Sequence, residues 1–126
     1  MEPLDVVREH FDSFARGDED AHAATYAGGC VIEEPNSLPW GGRYEGKDGQ
    51  RKLVERYDAA WEDVSVTPLE YVTTGELVYA LVRLQGRTSA GADVDMLTIE
   101  CFRVGPEGIV EQRVFYWDTA ALARAS

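Results

Sequence analysis

The 126-residue sequence predicts an α+β fold in which helices pack on the concave side of one bent sheet. Two features predict it. Apolar residues recur at helical period in the first part of the chain, and four long strand-like runs then follow with short, turn-forming separators between them. The length suits a single domain, 1–126, with one core.

From Pro3, the residues Leu4, Val7, Phe11 and Phe14 recur on one side, with Val6 and His10 beside them, which is the pattern of an amphipathic helix ended by Gly17. Asp18 is placed to cap a second, short helix through Tyr26, which Gly28 and Gly29 stop. Cys30 to Glu34 reads as a strand halted at Pro35, and Asn36 to Gly46 reads as a loop able to rim a pocket. Asp48 is the expected cap of a third helix ending near Asp63, with Leu53, Val54, Tyr57 and Trp61 on one side. The strand-like runs are Val64 to Thr73, Leu77 to Arg87, Asp93 to Val104 and Ile109 to Asp118. Their separators fit antiparallel hairpins, and a long twisted sheet wrapped on helices leaves a cavity at its open end.

Twelve basic against twenty-three acidic residues give a net charge of -11, which repels phosphate backbones and anionic lipid. Neither nucleic acid nor a membrane is therefore an expected partner. The N-terminus lacks a basic segment followed by an apolar one, and no apolar stretch is long enough to span a bilayer. Cys30 and Cys101, widely separated in strand-like runs, read as reduced core thiols of a cytoplasmic protein. Two histidines and no His/Cys cluster supply no metal-ligand pattern, so neither metal nor cofactor is expected.

Three places in the sequence carry chemical interest. Glu100 interrupts the face Val94, Met96, Thr98, Phe102, Val104, so its carboxylate must be protonated, paired or set in a cavity wall. Arg83 or Arg113 could supply a structural partner for it. His10 lies on the apolar stripe of the first helix, where it is either a core-edge residue bonded to backbone or a proton donor to a ligand. Of Glu33 and Glu34 only one can face inward, at a strand end beside a loop. The last strand offers Glu111, Arg113, Phe115 and Trp117 on one face and Gln112, Val114, Tyr116 and Asp118 on the other, and periodicity does not choose between them.

Three segments together resemble the ketosteroid isomerase branch of the nuclear transport factor 2-like superfamily, which also holds SnoaL-like polyketide cyclases and limonene epoxide hydrolase. Val6-Val7-Arg8-Glu9-His10 with Ala15-Arg16-Gly17-Asp18 is similar to the isomerase's first helix and turn. Val31-Ile32-Glu33-Glu34-Pro35 is similar to its first strand, and Ile99-Glu100-Cys101-Phe102-Arg103-Val104 to the strand bearing its acidic oxyanion donor. The resemblance implies a cone-shaped, cystatin-like fold, with three N-terminal helices in the concave face of a strongly bent, mixed and mostly antiparallel sheet. By position His10 stands where the family has a tyrosine, Glu100 where it has a protonated acid, and Glu34 where it has the proton-moving aspartate.

All three residue types are substituted, yet histidine and a neutral carboxylic acid still donate hydrogen bonds and glutamate still acts as a base. The function so implied is cofactor-free proton transfer next to the carbonyl of an apolar small molecule, as in an isomerase or cyclase. Tyr26, Trp40, Tyr57, Trp61 and Phe102 are the expected substrate-binding residues, with Arg113, Phe115 and Trp117 because the resemblance implies that their face looks inward. It also implies a homodimer through the outer sheet face, where Leu97, Ile99 and Cys101 would otherwise be exposed. A binding module without catalysis is the alternative. Water addition fits less well, because Leu81, Arg83 and Phe115 align with the hydrolase's Asp-Arg-Asp set.

Overall fold

The computed structural model describes residues 1–126 as four helices against one six-stranded open sheet. In chain order these are α1 (Pro3–Ala15), α2 (Glu19–Ala24), β1 (Tyr26–Glu34), β2 (Gly42–Glu45), α3 (Gly46–Ala59), β3 (Trp61–Thr74), β4 (Leu77–Thr88), β5 (Asp93–Gly105), β6 (Gly108–Tyr116) and α4 (Thr119–Ala125). The sheet order is β2-β1-β6-β5-β4-β3, with β1 and β6 parallel and every other pair antiparallel. This is the α+β layering that the sequence predicts, with the mixed, mostly antiparallel sheet that the resemblance implies.

Pro3 opens α1, where its missing N–H costs nothing, and the stripe Val7, His10 and Phe11 is buried against β3 to β6. Gly17 takes φ +72°, the left-handed turn that a β-carbon disfavours, and Asp18 then caps α2 by accepting from Ala21 N–H at 3.0 Å. Such a cap contributes about 1 kcal/mol. The hairpin of α1 and α2 leaves α1 lying in the hollow of the sheet, while α3 covers β1, β2 and β3.

Several boundaries differ from the sequence reading. Strand β1 begins at Tyr26, and its pairing with β6 slips between Tyr26 and Val31, an irregularity that takes Gly28 and Gly29 out to solvent. The loop after Pro35 contains the short strand β2. Glu45, not Asp48, occupies the cap position of α3, and the helix stops at Ala59, so Trp61 opens β3 instead of ending a helix. A bulge between Trp61 and Asp63 lets β3 bend over the helices, with Gly86 of β4 so close beneath that an added β-carbon would stand 2.3 Å from Asp63 O. A fourth helix, α4, seals one end of the core with the fully buried Leu122.

One irregularity decides which residues face the helices. At the β5–β6 turn Gly105 pairs with Gly108 and Val104 with Ile109, but Arg103 then pairs with Glu111, leaving Val110 as an extra residue. Because strand side chains alternate, that single residue reverses every side chain beyond it. Without it Glu100 would lie opposite Arg113; with it Glu100 lies opposite Val114, and Arg113 opposite Cys101 on the outer face. The inward row of β6 is Gln112, Val114 and Tyr116. The expectation that Glu111, Arg113, Phe115 and Trp117 face the pocket is corrected accordingly: Arg113 bonds Glu33 outside, while Phe115 and Trp117 are 53% and 82% exposed.

Candidate functional site

The inner face of β5 and β6 combines with α1, α2 and α3 into a chamber of about 80 Å³. Its walls are mostly apolar, from Phe11, Phe14, Leu53, Val54, Val66, Leu84 and Val114 among others, and its polar groups are His10, His22, Tyr26, Glu34, Tyr57, Thr98, Glu100, Gln112 and Tyr116. Phe14, Val54 and Tyr57 are only half-buried and form its rim.

Glu100 is flanked across the sheet by Ala80 and Val114, side chains too short to fill the space above it. Its carboxyl is 7% exposed and has no guanidinium partner. Instead Oε1 accepts from Gln112 Nε2 at 2.8 Å, and Gln112 Oε1 accepts in turn from the Tyr26 hydroxyl. Burial pushes the Glu100 pKa up to about 7, and the Gln112 bond only partly offsets it. Glu34, the inward member of its pair, accepts at Oε1 from Tyr116 Oη at 2.7 Å, and Tyr116 Oη accepts from Trp40 Nε1 at 3.0 Å. Desolvation, together with repulsion from Glu100, lifts Glu34 to about 8 against the Tyr116 bond. Two repelling carboxyls lose their protons in two steps, near 7 and near 8, and those steps belong to the pair.

His10 is 5% exposed and packed edge-on to Phe11, Tyr26 and Phe102, with the His22 ring centroid 4.6 Å away. Its Nδ1 has no hydrogen-bond partner, so the side chain does not serve the backbone. Burial, and secondarily the neighbouring His22, hold its pKa well below the usual imidazole value, so the ring is neutral. His22 is lowered to about 4 by burial and bonds Gln50 Nε2 through Nδ1 at 3.1 Å.

The structure thus brings His10, Glu34 and Glu100 to one chamber, with Tyr26 and Tyr57 in its lining. Trp40, Trp61 and Phe102 are buried but stand behind the lining, Trp40 and Trp61 packed with Tyr57 and Phe102 beneath His10. Sequence reasoning missed His22, Gln50, Gln112 and Tyr116. A register count across the β5–β6 turn finds Gln112 and Tyr116 only if the bulge at Val110 is known, and His22 lies in a six-residue helix too short to show a stripe, whereas Gln50, one turn before Leu53 and Val54, shares the apolar side of α3 and the helical period could have found it.

Among the described residues no three of His, Cys, Asp or Glu are grouped to hold a metal ion, and no helix is long and apolar enough to cross a membrane. The family model of the SnoaL-like domain matches residues 7–112. No curated protein matches the chain significantly. A nuclear transport factor 2-like protein of unknown function from Burkholderia pseudomallei is similar at 20% identity, over 98% of this chain and 95% of that one, with a TM-score of 0.91. TerC, crystallised with polyporic acid, is similar at 12% identity over 98% and 96% of the two chains, with a TM-score of 0.88. A protein from Sinorhizobium meliloti provisionally named a polyketide cyclase is similar at 24% identity over 90% and 99%, with a TM-score of 0.71. At such identities these likenesses establish the shared fold.

Proposed function

The chain belongs to the SnoaL-like domain family, and from that premise we propose that it is a cofactor-free acid–base enzyme acting beside the carbonyl of an apolar small molecule. The observation that carries this reading is the pair Glu34 and Glu100, two carboxyls in one largely apolar chamber whose protons leave near pH 7 and 8. Around neutral pH such a pair holds one proton and offers one base and one acid together, which is what proton transfer requires.

Glu34, near 8, holds the shared proton more tightly than Glu100, near 7, so in this reading the reacting form is the roughly tenfold rarer one in which the proton has passed to Glu100 and Glu34 is free to take the proton from the carbon next to the carbonyl. Negative charge passes to the carbonyl oxygen, where neutral Glu100 and neutral His10 donate hydrogen bonds. Glu34 then returns the proton at another carbon, which is isomerisation, or the enolate carbon closes on a second carbonyl of the same molecule and the alkoxide so formed takes the proton back from Glu34, which is aldol-type cyclisation. A dry cavity of ~150 Å³ holds benzene, so a chamber of about 80 Å³ takes a small ring only as Phe14, Val54 and Tyr57 move at the rim. Exchange of the α-protons of small cyclic ketones in deuterated water, followed by NMR, tests the chemistry. The wild type is expected to exchange them, and Glu34→Gln to lose ~10²- to 10⁴-fold of that rate; equal exchange by the two proteins overturns the base assignment.

Binding without turnover is the second reading, favoured by the fact that both carboxyls already accept a hydrogen bond, from Tyr116 and Gln112. The co-crystallisation of TerC with polyporic acid is a small-molecule precedent in the fold for either reading. Water addition finds less support, because Arg83 bonds Asp95 on the outer face, away from the chamber. The reduced thiols Cys30 and Cys101 fit a cytoplasmic location. Pairing of two chains through the outer face would cover Tyr79, Leu97, Ile99 and Phe115, all more than a third exposed. Light scattering is expected to give the mass of two chains for the wild type and of one for Phe115→Glu; a monomeric wild type overturns the dimer.

A further inference from the structure

A second cavity adjoins the chamber. It is a cleft of about 400 Å³ between the end of α1, α2 and α3, and Phe14, His22 and Val54 line both spaces, forming the partition between them. Nothing in the chemistry described above uses it.

The cleft is acidic. Asp18, Glu19, Asp20, Glu55 and Asp58 line it against one cation, Arg51, whose guanidinium already bonds Asp48. Asp18 is occupied as the α2 cap and lies 3.7 Å from Arg16, but Glu19, Asp20, Glu55 and Asp58 make no ion pair with any basic side chain. Asp58 is pushed up by burial and by the charge of Glu19, so the field in the cleft is uncompensated.

The independent observation is Gln50. Its side chain is 2% exposed in the wall of the cleft, and while Nε2 is engaged by His22, Oε1 has no hydrogen-bond partner. A buried carbonyl oxygen left unmatched is costly, roughly 1–3 kcal/mol, and calls for a donor. The donor that suits both a lone carbonyl oxygen and a ring of carboxylates is a cation carrying N–H groups. Because no three acidic or histidine ligands converge, an organic ammonium fits where a metal ion does not.

We infer that this cleft binds an ammonium group of the ligand, with Gln50 turning its shielded Oε1 toward the cleft to accept an N–H and the charge balanced by Glu55, Asp58 and Glu19, while the ligand's apolar part passes the Phe14–His22–Val54 partition into the chamber. The inference deepens the function proposed above and rests on it for the identity of the chamber as the reactive end. It narrows the substrate class to amino-substituted carbonyl compounds.

Three probes of one shape test it: phenylbutylamine, phenylbutanol and phenylbutyrate, titrated into the wild-type protein at low salt by calorimetry and by NMR. The amine is expected to bind about tenfold more tightly than the alcohol, the acid more weakly still, and the preference to shrink with added salt. The Gln50 side-chain amide resonance should move with the amine and not with the alcohol. In the double variant Glu55→Gln, Asp58→Asn, both exposed positions, the amine preference should fall several-fold. An alcohol that binds as tightly as the amine, a preference unchanged in the double variant, an unmoved Gln50 amide, or binding of none of the three each overturns the inference. The ketone exchange assay is separate: amine preference without exchange defeats only the catalytic reading, and exchange without amine preference defeats only this one.

Discussion

Glu33 and Glu34 are neighbours in β1, yet their carboxyls respond to the protein in opposite ways. On the outer face Glu33 accepts from Arg113 at 2.8 Å and lies 3.4 Å from Arg43, and these guanidinium groups hold its pKa below the usual carboxylate range. On the inner face Glu34 meets the Tyr116 hydroxyl and the Trp40 indole but no cation, and burial lifts it to about 8. The same division runs through the sheet. Outward charges find opposite charges, as Arg83 finds Asp95 and Arg103 finds Glu111, whereas inward Glu100 finds an amide. Proton affinity here follows from the face of the strand, which a one-residue change of register would reverse.

The largest test of that division is catalytic. Glu34→Gln should remove most of any proton-exchange activity, as argued above, whereas Glu33→Gln should leave it within about twofold, because its carboxyl touches no part of the chamber. Glu100→Leu, which removes the donor where glutamine would keep one, should cost less than Glu34→Gln, on the order of 10²-fold, the usual effect of one lost oxyanion donor. Kinetics of the three variants on one substrate would order them; a Glu33→Gln as impaired as Glu34→Gln would erase the distinction between the faces.

Next in size is the dependence of stability on pH. Glu34 and Glu100 have folded pKa values above the ordinary 4.5, so above that pH the unfolded chain releases protons that the folded one keeps, and stability falls as pH rises through 7 and 8. His10 and His22 act in the opposite sense: the unfolded chain gains protons below 6.5 that the folded one refuses, so stability falls as pH drops toward 4. The two effects oppose each other between 4.5 and 6.5, and only the carboxyl effect remains from 6.5 to 8. Urea denaturation should show a decline over that upper range of up to ~1.4 kcal/mol per pH unit for each carboxyl that ionises. Glu100→Gln should flatten it and, by removing a repelling neighbour, bring Glu34 down from about 8.

Much of the inner face was legible in the sequence, and the reason is local. In β5 the alternation Val94, Met96, Thr98, Glu100, Phe102, Val104 fixes the buried side because one apolar face is continuous, and the same alternation chooses Glu34 over Glu33 once the strand is known. Strand β6 was not legible. Its inward row carries Gln112 and Tyr116 because a chamber with two carboxyls needs hydrogen-bond donors, while its outward row carries Phe115, so hydrophobicity marks the wrong face. The Val110 bulge that sets the phase leaves no turn residue or proline in the sequence. Trp61 was misplaced for a related reason: its spacing from Tyr57 suits a helix, but the chain turns into β3 after Ala60 and the bulge at Asp63 brings the indole back against Trp40 and Tyr57.

The smallest predicted effect is the most direct check on the separation of the two faces. Arg113→Ala removes the guanidinium from Glu33, and since both side chains are well exposed, at 58% and 38%, the lost pair should cost no more than ~1 kcal/mol in urea denaturation. The titration of Glu33 should rise toward the ordinary glutamate value while Arg43 retains part of the effect. Glu34, one residue away but across the sheet, should still titrate near 8, because neither its hydrogen bond nor its burial involves Arg113. Carboxyl-carbon NMR reads both residues in one experiment. If Glu34 shifts with Glu33, charge on the outer face reaches the chamber through the sheet, and the proton affinity of the pair is then set by the whole strand and not by the face on which each carboxyl lies.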